Sequence, residues 1–253
     1  MIRDLYSAAA GLLSTALEES VVAGNLANVS TPGYQEQEVA FAPFHEMAMQ
    51  ANLAGNTVSL GAITGGAEVS VTTSNWTPGA MQASSNPLAV AIAGSGFFAV
   101  QTARGQVAYT RAGDFQFNGA GELVNADGQA VLATTGQPIQ AASQAEAAGA
   151  TVNTNGQVVS GGTVLGQIAV WNPALTSLVS AGDAEFTQTA GAAAPGQMTA
   201  SLDPGFLQGS NVNLIGQMAD LIRLDQVFAS DQNALETAQQ TMTTAISTVG
   251  TVS

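Results

Sequence analysis

No cysteine occurs in the 253 residues, and no lysine. The first absence excludes disulfides, thiolate metal sites and cysteine nucleophiles. The second leaves Arg3, Arg104, Arg111 and Arg223 against 18 carboxylates, for a formal charge of −14. A nucleic-acid interface needs clustered cations that displace counterions from phosphates. None can be assembled here, and adsorption to an anionic membrane surface fails for the same reason. Charged residues make up 9% of the chain, where about 25% is usual for a soluble domain. Ser, Thr, Asn and Gln carry the polarity instead. Any assembly must therefore rest on apolar contacts and amide hydrogen bonds. No run of about 20 uninterrupted apolar residues is present, so no membrane insertion is expected. The start, Met1-Ile2-Arg3-Asp4 and then an Ala/Leu stretch, imitates a signal peptide. Asp4 follows the single Arg3, and Ser7, Ser14 and Thr15 break the apolar run, so no cleaved signal is expected.

What is present is concentrated at the two ends. Ile2, Leu5, Ala9, Leu12, Ala16, Ala23 and Leu26 recur at three–four spacing, interrupted at Glu19, and predict a helix. Pro32 and Gly33 stop it near Asn28 or Val29. At the other end Leu214, Leu221, Phe228, Leu235, Met242 and Val249 return every seventh residue. Ser210 or Asn211 is the expected N-cap. Positions four residues further on are Met218, Asp225, Gln232, Gln239 and Ile246. Only the first and last are apolar, so the line predicts a mixed helical layer rather than a full two-position coiled-coil seam. A lone two-helix hairpin leaves lateral apolar faces uncovered, which favours an oligomer.

Between the ends, short apolar runs alternate with Gly, Asn and Asp turns: Leu88–Ile92, Phe97–Val100, Val107–Thr110, Asp114–Phe117, Leu123–Val124, Ala130–Leu132, Val158–Val159 and Gln167–Val170. Such spacing predicts antiparallel strands. Glu68–Thr72 alternates as another. Phe41–Phe44 and the Met47/Met49 patch read as a local helix or extended arm, and Asn52–Gly66 and Gln140–Ala150 as loops. The fold class is α+β: a discontinuous helical domain from both termini, a coiled-coil-like hairpin, plus a central antiparallel all-β domain. The expected divisions are residues 1–34, an extended linker or arm over 35–80, the β domain over 81–206, and the C-terminal helix over 207–253.

Reaction chemistry is thin. Gly94-Ser95-Gly96 lacks the Lys-Ser/Thr of a phosphate loop and reads as a tight turn. His45 is the single histidine; one imidazole does not build a zinc site, and no Gly-x-Ser-x-Gly elbow accompanies it. Asp114, Glu122 and Asp127 could pair as the acids of a cell-wall glycan hydrolase, but each lies beside Gly or Asn and reads as a solvated turn carboxylate. Asn125-Ala126-Asp127-Gly128 lacks the spaced ligands of a calcium loop. No catalytic residue, metal site or cofactor is expected.

Four segments, in order, carry a resemblance: Asn25-Leu26-Ala27-Asn28-Val29-Ser30-Thr31-Pro32-Gly33-Tyr34, Leu88 to Phe98, Tyr109-Thr110-Arg111-Ala112-Gly113-Asp114-Phe115, and Gly205 to Asn213. Together they resemble the bacterial flagellar basal-body rod and hook-basal body family. Chain length and the central β region are similar to its distal-rod class. Of three departures, two remove cations: Gln35 stands for a common Lys or Arg, and Leu224-Asp225-Gln226 for an Arg-bearing stretch, while Gly24 stands for the signature's first Asn. The apolar pattern is untouched.

The resemblance implies an inner helical domain made of both termini and a β domain projecting outward. It implies a helically polymerising rod subunit that transmits torque, with copies of itself, other rod proteins and hook protein as partners. It also implies export by the flagellar type III apparatus to the basal body. The expected polymerisation residues are Leu5, Leu12, Asn25, Leu26, Asn28, Leu214, Leu221, Phe228, Leu235, Met242 and Val249, with Thr31, Pro32, Gly33 and Tyr34 as helix stop and turn. The alternative reading is a secreted β-rich, adhesin-like binding module with a helical oligomerisation stalk.

Overall fold

A computed structural model describes residues 2–43, 47–53, 56–63, 67–182 and 184–250, with side-chain surroundings for 8–41, 72–182 and 184–247. The chain is mixed α and β, with helices at both ends and a mostly β middle. Helix α1 spans Ile2–Ala27, α2 Gln144–Ala148 and α3 Leu214–Gly250. Two compact units result. One holds α1, residues 37–75 and α3; the other holds residues 28–36 and 76–212.

In the helical unit, α1 runs antiparallel to α3. Asn25 meets Gln217, Glu18 meets Arg223, and Gly11 faces Asp231. The covered line of α1 is Gly11, Thr15, Glu18, Val22 and Asn25, of which Thr15, Val22 and Asn25 are buried. This corrects the predicted stripe by one position: Ala9, Ala16 and Ala23 are exposed, while Leu12 and Leu26 are half-buried. The surroundings of Ile2 and Leu5 lie outside the described residues. The helix is so rich in Ala that hydropathy hardly distinguishes one register from the next; the chosen seam is the one that leaves room for the Asp231 side chain at Gly11. Along α3, Leu221, Phe228, Leu235 and Met242 are half-buried. Their covered companions stand three residues on, at Leu224, Asp231, Ala238 and Ala245, not four on, where Asp225, Gln232, Gln239 and Ile246 are exposed. Leu214 is exposed and Val249 lies outside the described side chains.

Strands β1 (Gln37–Pro43), β2 (Met47–Leu53), β3 (Asn56–Ile63) and β4 (Ala67–Ser74) complete this unit. β1 pairs antiparallel with β4, and β2 with β3, giving nested pairs; α1 packs on β1 and β4. The Asn52–Gly66 segment, expected as a loop, thus contains β3. Its Thr and Val residues favour extended backbone and outweigh the flanking Gly and Asn. His45 lies outside the described residues.

The β unit contains β5 (Met81–Ala83), β6 (Val90–Ala93), β7 (Phe97–Gln101), β8 (Val107–Thr110), β9 (Gln116–Phe117), β10 (Leu123–Val124) and β11 (Ala130–Val131), followed by α2. After α2 come β12 (Ala150–Val152), β13 (Gln157–Ser160), β14 (Thr163–Gln167), β15 (Val170–Asn172), β16 (Leu178–Gly182), β17 (Glu185–Gln188), β18 (Gly196–Met198), β19 (Ser201–Pro204) and β20 (Phe206–Gln208). Its wide sheet is ordered β16-β17-β8-β7-β11-β10-β9, with β15 joining β7 to β18, and the pairs are antiparallel. One face buries Val90, Phe98, Val100, Phe115, Leu123 and Val158; the other carries Phe97, Tyr109 and Phe186 under half-buried Trp76 and Trp171. The region is not wholly β. The Gln140–Ala150 tract, read as loop, forms α2, because Ser143 accepts the Glu146 N–H as its N-cap.

Candidate functional site

The residues where α1 ends are held by a dense set of hydrogen bonds. Asn25 is 1% exposed. Its Oδ1 accepts the Gln37 N–H at 2.9 Å, and its Nδ2 donates to the Gln37 carbonyl at 2.9 Å and to Gln217 Oε1 at 3.2 Å. One side-chain amide thereby joins α1, the first residue of β1 and the first turn of α3. Asn28 acts in the other unit. Its Oδ1 accepts the Thr31 hydroxyl at 3.1 Å, and its side chain also bonds Tyr34. The turn continues through Thr31 N–H to Asn28 carbonyl and Tyr34 N–H to Thr31 carbonyl.

Around this turn the four sequence motifs converge. Gly33 adopts φ +73° and donates to the Gln208 carbonyl at 2.8 Å, and a Cβ there would collide with Ala112 N. Val90 N–H donates to Gly113 at 3.1 Å, and Gly205 N–H to Ala89 at 2.8 Å. Asn211 accepts the Glu36 N–H at 2.7 Å and donates to the Thr77 carbonyl at 2.9 Å. Tyr34 is buried against Ala184 and Val212. Burial raises its pKa, which the Asn28 hydrogen bond partly opposes. Burial likewise raises that of Tyr109.

The expected N-cap is corrected here. Ser210 accepts from Val212, Asn211 bridges residues 36 and 77, and the cap of α3 is Asn213, which accepts the Gly216 N–H at 3.2 Å. An Asx side chain two or three residues from another offers several cap choices, and the tertiary demands on Asn211 decide between them.

The helices expose much apolar surface. Leu13 is 65% exposed, Ile215 80% and Ile222 59%, and Leu17, Leu214, Met218 and Ile246 are exposed as well. Of the residues expected at a polymerisation interface, Leu12, Leu26, Leu221, Phe228, Leu235 and Met242 are half-buried within the chain and Asn25 is fully buried. Sequence reasoning missed Thr15, Gln217 and Leu224 on the seam and the exposed pair Ile215 and Ile222. The three-residue spacing from each heptad position would have found Leu224.

The acids do not form a reaction centre. Asp114 accepts from Asn86 at 3.0 Å, Glu122 from Asn118 and Gln140, and Asp127 is exposed. None of the three is buried. Among the described residues no group of three His, Cys, Asp or Glu side chains could hold a metal, and no helix is long and apolar enough to cross a membrane. A cavity of about 310 Å³, lined by residues including Thr134, Asn155, Gln167, Gln197 and Met198, has no titratable side chain in its lining.

Comparison with known proteins agrees with this picture of motifs joined for packing. Residues 91–160 match the family profile described as flagellar hook protein FlgE/F/G D1 domain, and residues 203–248 match that of the flagellar basal body rod FlgEFG protein C-terminal. The flagellar basal-body rod protein FlgG of Agrobacterium fabrum is 31% identical, over 94% of this chain and 96% of its own. FlgG of Bacillus subtilis is 30% identical over 95% and 96%. The flagellar basal-body rod protein FlgF of Escherichia coli is 33% identical over 88% of both chains. A helix pair with uncovered apolar faces, a β unit stitched together at four motifs, and relatives matched end to end leave the binding-module reading without support: the chain belongs to the flagellar basal-body rod protein family, of FlgF/FlgG type, and is a structural subunit of the rod.

Proposed function

We propose that this chain polymerises helically through its terminal helices into the distal rod, a drive shaft that passes torque to the hook. The observation that carries the reading is the exposed apolar surface of α1 and α3. Single exposed apolar residues are ordinary on protein surfaces, but a patch of them marks an interaction site. In an assembly the α1–α3 pair is a coiled-coil-like hairpin with Gln217, Leu221, Leu224, Phe228, Asp231 and Leu235 as its inner seam. Leu13, Leu17, Ile215, Met218 and Ile222 then face neighbouring copies. The terminal segments 1–34 and 207–253 form the axial part, residues 35–80 an arm, and 81–206 the β domain.

Among the interface residues expected from sequence, Leu12, Leu26, Leu221 and Phe228 act from half-covered positions, and Asn25 acts by holding the helices in register. Leu5, Leu214, Leu235, Met242 and Val249 extend the same contact along the helices. Asn28, Thr31, Pro32, Gly33 and Tyr34 set the chain direction where α1 ends. Partners are copies of this chain, other rod proteins, hook protein and the flagellar export apparatus, and export proceeds without a cleaved signal.

The test is complementation of a strain lacking this chain. Ile215→Asp and Ile222→Asp, which leave the seam intact, are expected to stop rod assembly and swimming while the purified protein stays folded. Leu221→Asp and Phe228→Asp are expected to do the same with the helical unit loosened. Normal basal bodies in the Ile222→Asp strain would sink the reading.

A further inference from the structure

Arg111 is a buried cation that pairs with no carboxylate among the described residues. It is 4% exposed, and its Nε and Nη1 have no hydrogen-bond acceptor among the described residues. Its Cζ lies 5.0 Å above the ring of Phe97, which packs edge-on with Trp76 and Phe186. A π face compensates a guanidinium only in part, and burial of an uncompensated charge is strongly unfavourable. Burial accordingly lowers the Arg111 pKa. Glu185, the buried acid of the adjoining strand, is already engaged with Asn125 at 3.2 Å and Gln129 at 2.8 Å. Arg223 is likewise engaged, by Glu18 at 3.1 Å and Asp220 at 3.5 Å.

Packing alone does not call for a charge at such a site, since well-packed apolar side chains of similar volume often replace buried ionic groups without loss of stability. Carboxylates, by contrast, are abundant on every copy of the chain: 18 acids stand against four arginines. Among the described residues, the aromatic face that holds Arg111 is flanked by the half-buried Trp76, Trp171 and Leu178, so a neighbour covering it would exclude the remaining water and strengthen a charge pair formed there.

We propose that Arg111 is an intersubunit anchor that takes an Asp or Glu carboxylate from a second copy of this chain when the rod assembles. The proposal rests on the rod reading above and names a polar contact within it. On the isolated subunit Arg111 is held ready over Phe97. In the polymer it makes the charge-assisted hydrogen bond that it lacks alone.

The test compares wild type, Arg111→Lys, Arg111→Met and Arg111→Gln in a strain lacking this chain. Complete rods per cell are counted by electron microscopy, and thermal unfolding of each purified protein is measured. The expected result is near-parental melting for Met or Gln with at least a tenfold loss of complete rods, and partial recovery with Lys. Arg111→Glu should also lose rods and regain them through a second-site change of an Asp or Glu to Arg in the same chain. Parental rod numbers with either neutral variant would overturn the proposal, as would rod loss that only follows loss of folding in both. A wild-type copy that itself fails to restore rods would overturn the rod reading instead.

Discussion

Asn25 and Gln37 are joined as two paired strand residues are, except that one partner is a side chain. The Asn25 carboxamide accepts the Gln37 N–H and donates to the Gln37 carbonyl, both at 2.9 Å, while its second amide hydrogen reaches Gln217 in α3. Replacing Asn25 by Ala removes its hydrogen bonds to two part-buried backbone groups of Gln37 and to the Gln217 oxygen, and lost buried hydrogen bonds of this kind cost about 1–3 kcal/mol each before relaxation. Asn25→Ala should lower the stability of the helical unit by about 2–3 kcal/mol, seen as an earlier urea midpoint by far-UV circular dichroism. A midpoint unchanged from the parent would show that the amide clasp contributes nothing.

Gly33→Ala should be more disruptive than its size suggests. The position sits at φ +73° and against the backbone of Ala112, so the added methyl meets both left-handed strain, about 1–2 kcal/mol, and a collision that backbone must relieve. The β unit is expected to lose at least about 2 kcal/mol, and the reporter is loss of hydrogen-exchange protection at Gly33 and its neighbours.

Leu224→Ala and Ile222→Ala separate packing from assembly on one helix turn. Leu224 is 1% exposed, and truncation should cost about 2–5 kcal/mol. Ile222 points away from the seam, and its truncation should stay within about 0.5 kcal/mol while reducing rod number. Paired denaturation and rod counts read the two effects independently.

Alkaline titration offers a further check. Unfolded tyrosine ionises near pH 10, whereas burial makes folded Tyr34 and Tyr109 keep their protons to higher pH. Above about pH 10 the unfolded state then binds fewer protons than the folded one, and stability falls as pH rises. Below that pH the contribution is complete. Tyr34→Phe should flatten part of the decline in a series of unfolding midpoints across this range.

Arg223→Ala, by comparison, should be mild. Its pair with Glu18 is partly exposed, and such pairs contribute no more than about 1 kcal/mol. The unfolding midpoint of Arg223→Ala should therefore correspond to a loss within about 1 kcal/mol of the parent.

How far the sequence was readable depends on how each residue type encodes its surroundings. The end of α1 and the strands at Phe97–Val100 and Val107–Thr110 were legible because Pro32, Gly33 and runs of β-branched and aromatic residues leave few options. The seam was not. Ala8, Ala9 and Ala10 look alike to any hydropathy argument, and Asp231 stands in a covered position because Gly11 leaves it room. A polar residue at that position disguises the 4–3 alternation. Strands such as β16–β20 were missed because they are short and carry Gly, Ser and Gln; partner strands, rather than their own composition, hold them extended. Arg111 was counted as one of few cations, but nothing in its neighbours along the chain announces that it is buried.

The antiparallel helix pair also sets an order of events for the newly made chain. Asn25 and Gln217 are 192 residues apart, whereas β7 and β8 close across a turn of a few residues. Closing a loop of that span must be met before any helix contact repays it, and contacts between distant residues form slowly. Local strand pairs such as β7 and β8 are therefore expected to form first, with α1 idle until α3 arrives. The helix pair is the last structure gained, and is expected to be the first given up when the chain unfolds.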